Sequence, residues 1–219
     1  MPRRENPLKD ERERQIKEAA LRLFSEKGFH DTTVQDIAEE AGLGKGTIYW
    51  YWDSKEDLAF SLVEDMLSAF LDLVRRAEEW DLPFREKFRV LVHEASALYR
   101  EKKDHCRLLW KFRADRHYIF NPDYAKKVTR YYQDIRRSLA SIIRKGMEEE
   151  EIDYPDSDHL ALVVLGVAEG LELEWLENED FDLEGSLQLV LGNLFSGLSR
   201  GSREAKSVKE GRKGRRERG

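Results

Sequence analysis

Apolar side chains recur three and four positions apart along nearly the whole chain, and almost nowhere do they alternate in twos. That period belongs to helices buried on one face, so the expected fold class is all-α. Five prolines in 219 residues leave room for long helices, and a chain of this length can bury a sizeable core. A charged fraction of 37% beside 40% apolar residues fits helices with charged outer faces. No apolar run reaches the 18 or more residues expected of a membrane-spanning helix. The opening "MPRRENPLKDERERQ" has no apolar stretch that would make it a secretory signal. Cys106 stands alone, which excludes an internal disulfide and fits a reducing cytoplasm.

The chain's punctuation divides this helical pattern. In "ERERQIKEAALRLFSEKG", Ile16, Ala19, Ala20, Leu23 and Phe24 share one face, and Gly28 is a natural stop. Thr32 or Thr33 can cap the next helix, with Gln35 or Asp36 three positions on; its inward side is Val34, Ile37, Ala38 and Ala41, and Gly42 ends it. A third short helix is expected over about 45 to 51. Ser54 with Asp57 then opens a long one over about 55 to 79. Pro83 marks another start, and Asn121-Pro122 a break and restart. Two apolar helices, in "SDHLALVVLGVAEGLELEWLEN" and "DLEGSLQLVLGNLFSGL", close the pattern. The predicted architecture is three small helices over residues 1–55 joined to a larger helical bundle over 56–199. Residues 200–219 are basic, hold a single large apolar residue, and are expected to be a disordered tail.

"GLGKGTIYWYW", residues 42–52, first suggests a loop around a nucleotide phosphate. The spacing rejects it. Gly44-Lys45 is followed by Gly46 rather than Ser or Thr, Glu39 stands where the loop's first glycine belongs, and the preceding residues are helical. A helix-turn-helix over about 33–52 fits better. Its turn of three or four residues is "AGLG", with Leu43 anchoring the elbow. Gly44, Gly46 and Thr47 are small enough for the second helix to approach a nucleic-acid backbone, where free N–H groups suit phosphate. Lys45 can reach a guanine edge or a phosphate, and Thr47 a phosphate or a thymine methyl.

"RQIKEAALRLFSEKGF" followed by "TVQDIAEEAGLGKGTIYWYWDSKEDL" resembles the DNA-binding domain of TetR-type transcriptional regulators. The resemblance covers roughly residues 10 to 60. It implies that Thr33 caps its helix and touches a phosphate, that Lys45, Gly46 and Thr47 face the major groove, and that Gly44 belongs to the same DNA-binding set. Tyr49 and Tyr51 would bond phosphates, Trp50 would pack on a sugar-phosphate edge or a thymine methyl, and Lys55 would meet a phosphate. Gly44 stands where the family often has Ser, and Trp52 where Phe is usual, still plugging the small core. The residues alone leave plainer readings open: Tyr49 and Trp52 as core, Lys55 as a surface charge, and Asp36, Glu39 and Glu40 as a solvated face. An arm with Arg3, Arg4, Lys9, Arg12 and Arg14 either follows the minor groove or is a loose charged tail.

Charge agrees with local rather than general DNA contact. The net charge of −6 is spread as −1 over residues 1–55, −11 over 56–199 and +6 over 200–219. An acidic body is repelled by DNA, so contact belongs near the ends. The basic tail is either an added electrostatic arm or a solubilising end.

One such motif makes few contacts, so a homodimer reading two successive grooves is expected. The helices near 160–195 resemble the family's dimer-forming pair. Leu162, Leu165, Gly166, Glu169, Leu173, Leu187, Leu191 and Leu194 are the candidate interface residues, with Gly166, Gly170, Gly192 and Gly197 permitting close approach. The alternative is internal core. Trp110, Phe112, Tyr118, Phe120 and Tyr131, with Glu169, are candidates for an effector pocket taking a lipophilic or aromatic molecule, though an aromatic stripe also serves as core. The histidines and Cys106 lack metal-ligand spacing and no nucleophile motif occurs, so neither an enzyme nor a cofactor is expected. The reading is a ligand-responsive, cytoplasmic, DNA-binding regulator, a repressor released by its effector. An activator of the same family and a helical protein-interaction module remain open.

Overall fold

The computed structural model describes residues 7–115, 122–178 and 180–199. The described residues form nine helices: α1 (Pro7–Glu26), α2 (Val34–Glu40), α3 (Lys45–Tyr51), α4 (Lys55–Glu79), α5 (Phe84–Glu101), α6 (Lys103–Asp115), α7 (Pro122–Glu148), α8 (Ser157–Glu177) and α9 (Leu183–Gly197). The all-α expectation holds, with no strand among them. Two compact units result: Met1–Ala69 with Glu101–Arg130, and Phe70–Arg100 with Tyr131–Gly219.

In the first unit the predicted punctuation does its work. Gly28 and Gly42 take positive φ, +86° and +65°, which other L-residues resist. Around Gly42 the amide of Leu43 bonds the Ala38 carbonyl and that of Gly42 the Glu39 carbonyl, closing α2 in a Schellman turn. Thr33, not Thr32, is the cap. Its Oγ1 accepts from the Asp36 amide at 3.1 Å, while the Thr33 amide donates to the Asp36 carboxylate at 2.9 Å. These hydrogen bonds hold the Asp36 pKa below the usual carboxylate range. Asp36 is thus a structural half of the capping box rather than part of a solvated face. Thr32 is buried and donates to the Gly28 and Leu23 carbonyls.

The core here joins Ile16, Ala20 and Phe24 of α1, Ile37 of α2, Ile48 of α3, Leu58 and Val63 of α4, and Phe112 of α6, all at most 2% exposed. Each large side chain buried this way is worth about 1.5–3 kcal/mol. α1 is longer than the sequence suggested. It starts at Pro7, so Lys9, Arg12 and Arg14 are helical rather than part of an arm; Arg3 and Arg4 lie outside the described residues. Arg14 reaches Glu11 and Glu18, each at 2.6 Å.

In the second unit Phe84, Phe88 and Phe195 form a ring cluster with centroids 4.7–4.9 Å apart. Gly146 of α7 lies against it, and a Cβ there would stand 2.5 Å from the Phe84 ring. Asp156 and Asp182 cap α8 and α9 through their carboxylates. The α5 start has no such cap of its own, and Glu151 accepts from the Phe84 amide at 2.8 Å instead. No described helix is long and apolar enough to cross a membrane. Residues 200–219, expected to be a tail, lie outside the described residues.

Candidate nucleic-acid interface

The face of α3 is set by the helical period. Ile48 turns inward at 2% exposure, while Gly44, Lys45, Gly46, Tyr49 and Trp50 are exposed, Tyr49 at 47% and Trp50 at 67%. Residues 41–52 contain no carboxylate. Gly44 takes the extended N-cap conformation and supplies no side-chain bond. The Lys45 ammonium sits 5.9 Å from the Tyr49 ring centre, so its stem lies along the aromatic. Thr33 is exposed at the start of α2. Acidic neighbours are occupied elsewhere: Glu40 pairs with Arg22 at 2.5 Å, and Glu39 accepts from Gln35 at 2.8 Å.

Three expected residues sit differently from the simplest expectation. The Tyr51 hydroxyl donates to the Lys9 carbonyl at 3.0 Å, tying α3 to α1, so its proton is not offered to a phosphate. Lys55 spends its ammonium on the Phe29 and Thr32 carbonyls at 2.6 and 2.7 Å and lies 4.3 Å from the Phe29 ring centre. Burial holds its pKa below the ordinary lysine range. Trp52 is half-buried rather than a full plug and stands 5.5 Å from the Tyr51 ring. Lys9 and Arg12, expected from sequence in a charged arm, line a cleft between α1 and α3 together with Leu8, the one of the three that the sequence reading did not single out.

At the amino end of α4, Ser54 and Asp57 cap each other as expected, the Asp57 amide donating to Ser54 Oγ at 3.0 Å. Tyr124 of α7 adds a hydrogen bond from its hydroxyl to Asp57 and stacks on Phe60 at 4.5 Å. Burial and the Asp57 carboxylate push the Tyr124 pKa up to about 12, so it remains a donor.

The apolar surface of the second unit lies on α8 and α9, which pack on each other. Leu162, Leu173 and the α9 residues Leu189 and Val190 are 53%, 38%, 67% and 39% exposed. Gly166, Gly170, Gly192 and Gly197 have nothing within 4 Å of an added Cβ, so nothing in the protomer approaches them. Among the interface candidates, Gly166 is exposed and Glu169 and Leu194 are half-buried. Leu165, Leu187 and Leu191 are corrected: at 8%, 2% and 4% exposure they belong to the protomer's own core and have no surface to lend. A helix apolar all round does not reveal from sequence which side its own fold covers. Val163, Leu189 and Val190, which the sequence reading did not name, are exposed as well.

The pocket candidates do not form one cluster in either unit. Trp110 and Phe112 belong to the first, Tyr131 and Glu169 to the second, and Tyr118 and Phe120 lie outside the described residues. Phe112, 1% exposed and 5.8 Å from the Phe60 ring, is core. Trp110 is half-buried under the Arg113 guanidinium. The second unit does hold two buried polar atoms with no hydrogen-bond partner, Ser96 Oγ and Arg136 Nε. Neither was anticipated, because one serine in an apolar helix carries no signal by itself.

Comparison with known proteins agrees with the geometry of α2 and α3. The family model described as bacterial regulatory proteins, tetR family, matches residues 16–62. The fatty acid metabolism regulator protein of Bacillus subtilis is 26% identical over 186 residues, 84% of this chain and 94% of that protein. The HTH-type transcriptional regulator TtgR of Pseudomonas putida is 29% identical over 203 residues, 86% of this chain and 91% of that one. The crystal structure of the transcriptional regulator FadR from Bacillus subtilis in complex with stearoyl-CoA shares the fold, with a TM-score of 0.70 at 24% identity, covering 84% of this chain and 98% of that one.

Proposed function

Since this chain is a TetR-family DNA-binding transcriptional regulator, we propose that it is a homodimeric repressor released from a palindromic operator by a long-chain acyl thioester. Residues 1–55 form the reading head and 56–199 the sensing and dimerising body. The observation that carries the DNA part is the α3 face, with Lys45, Tyr49 and Trp50 exposed and no carboxylate from 41 to 52. Lys45 and Thr47 read the major groove, Gly44 and Gly46 let the backbone come close, and Thr33, Tyr49 and Trp50 flank them on the sugar-phosphate edge. Tyr51 and Lys55 act one step back: their hydrogen bonds fix α3 on α1 and the loop at 29–32 on α4.

Dimerisation uses the exposed stripe of α8 and α9, with Leu162, Gly166, Leu173, Leu189 and Val190 at its centre. It is supported by the open glycines, which invite a second helix pair to within close packing distance. Two α3 helices are then presented to successive major grooves about 34–36 Å apart.

The effector class is supported by the name of the Bacillus subtilis relative and by the stearoyl-CoA held in the FadR structure. Binding shifts the population of α4 positions, which mis-spaces the two heads and loses the second half-site.

The test is direct. Wild-type protein should retard a palindromic duplex selected from a random pool, and Lys45→Glu should not, with its helical circular dichroism unchanged. Saturating stearoyl-CoA should weaken retardation at least about tenfold where acetyl-CoA does nothing. If operator affinity is indifferent to stearoyl-CoA, the effector assignment fails and mass spectrometry of co-purified ligand replaces it.

A further inference from the structure

We infer that the first two turns of α1 belong to the DNA contact, with Lys9 and Arg12 taking backbone phosphate in a cleft they share with α3. The inference rests on the DNA reading above and names residues outside the helix-turn-helix.

Leu8, Lys9 and Arg12 of α1 and Gly46, Thr47, Trp50 and Tyr51 of α3 line an open cleft of about 490 Å³. Its lining carries two cations and two hydroxyls and no carboxylate. The helical period produces this separation. The acidic residues of the same turns point elsewhere: Asp10 and Glu13 line a second cleft with Lys17 and Asp65, and Glu11 holds Arg14. Neither Lys9 nor Arg12 has an ion-pair partner among the described residues.

Two contacts give the cleft its shape before any DNA arrives. The Lys9 ammonium lies 5.1 Å from the Trp50 ring centre, and the Lys9 carbonyl accepts the Tyr51 hydroxyl at 3.0 Å. Lys9 is therefore held against the helix that reads the groove, and Trp50, 67% exposed, forms the shared wall. Two unpaired cations beside a helix lying in the groove match the charge of a phosphodiester. Their contacts carry no base information, so they set affinity and its salt dependence rather than sequence preference.

The experiment uses the full chain and a duplex that the wild-type protein enriches from a random library. Affinity is measured across 50–200 mM KCl for wild type, Lys9→Ala, Arg12→Ala and the control Arg75→Ala, which removes an exposed charge about 30 Å along α4 from Lys55. Each of the first two changes, present twice per dimer, should flatten the slope of log K against log salt by about 1.8. Binding should weaken by about tenfold on every sequence tested, with the selected sequence unchanged; the control keeps the wild-type slope. Wild-type slopes for Lys9→Ala and Arg12→Ala, with folding intact by circular dichroism, overturn the inference while the DNA reading stands. A changed base preference also overturns it. If the wild-type protein enriches no duplex at all, the DNA reading itself is lost.

Discussion

The α3 face and the α8–α9 face both leave large apolar side chains in solvent, and they differ in everything else. Around Trp50 and Tyr49 stand Lys45, Lys9, Arg12 and Thr47, all able to donate to an anion. Around Leu162 and Leu189 stand glycines with open space above them. Exposed aromatic surface mixed with cations fits a charged, hydrated partner such as a sugar-phosphate edge. Exposed aliphatic surface mixed with glycine fits another helix at short range. The two faces teach that exposure alone says little, and that the polar company of an exposed apolar residue says what covers it.

The contrast can be broken most sharply by placing one charge on each face. Leu189→Asp should bury an unpaired carboxylate at the subunit contact, at about 3–5 kcal/mol, and convert the dimer to monomer by analytical ultracentrifugation. Trp50→Asp should leave the dimer whole and abolish DNA retardation. If both variants gave the same phenotype, the distinction between the faces would be wrong.

Next comes the polar scaffold behind the α3 face. Lys55→Ala strips two carbonyls of a charged donor and should lower stability by about 2 kcal/mol, a fall in Tm of several degrees by calorimetry. Glycine substitution then separates covered from open surface within the second unit. Gly146→Ala drives a methyl into the Phe84 ring and should cost about 1–2 kcal/mol in chemical denaturation. Gly170→Ala meets nothing in the protomer and should stiffen α8 by up to about 1 kcal/mol, yet weaken dimerisation.

The smallest effect is a pH dependence in the first unit. Burial, aided by Lys102, holds the His105 pKa below its ordinary value, with Asp65 and Asp104 opposing. As pH falls through about 6.5 the unfolded chain takes up a proton that the folded chain refuses, so stability drops until the folded histidine also titrates. Wild type should therefore lose slightly more Tm between pH 7.5 and 5.5 than His105→Gln.

The head was the more legible half because its signals are local. Gly28, Gly42, the Thr33–Asp36 pair and the Ser54–Asp57 pair each act within four residues, and each is found where the sequence suggests. What escaped was long-range. Lys55 meets carbonyls 23 and 26 residues away, and Tyr51 one 42 residues away, so nothing near either residue announced the contact. The start of α1 escaped because charged residues without an apolar stripe look like a tail, though Pro7 can begin a helix. In α8 the difficulty was the reverse. Too many apolar positions left no period with which to tell core from interface, and Leu165 fell on the wrong side.

The first turn of α4 is gripped three ways: Ser54 and Asp57 close its cap, Tyr124 holds Asp57 from α7, and Lys55 pins the loop behind it. A joint fastened on every side cannot absorb motion by fraying. Displacing this turn alone would therefore break its bonds to the loop at 29–32 and to the opening of α7, at about 0.5–1.5 kcal/mol for each neutral bond and more for the charged ones, so the three have reason to shift together.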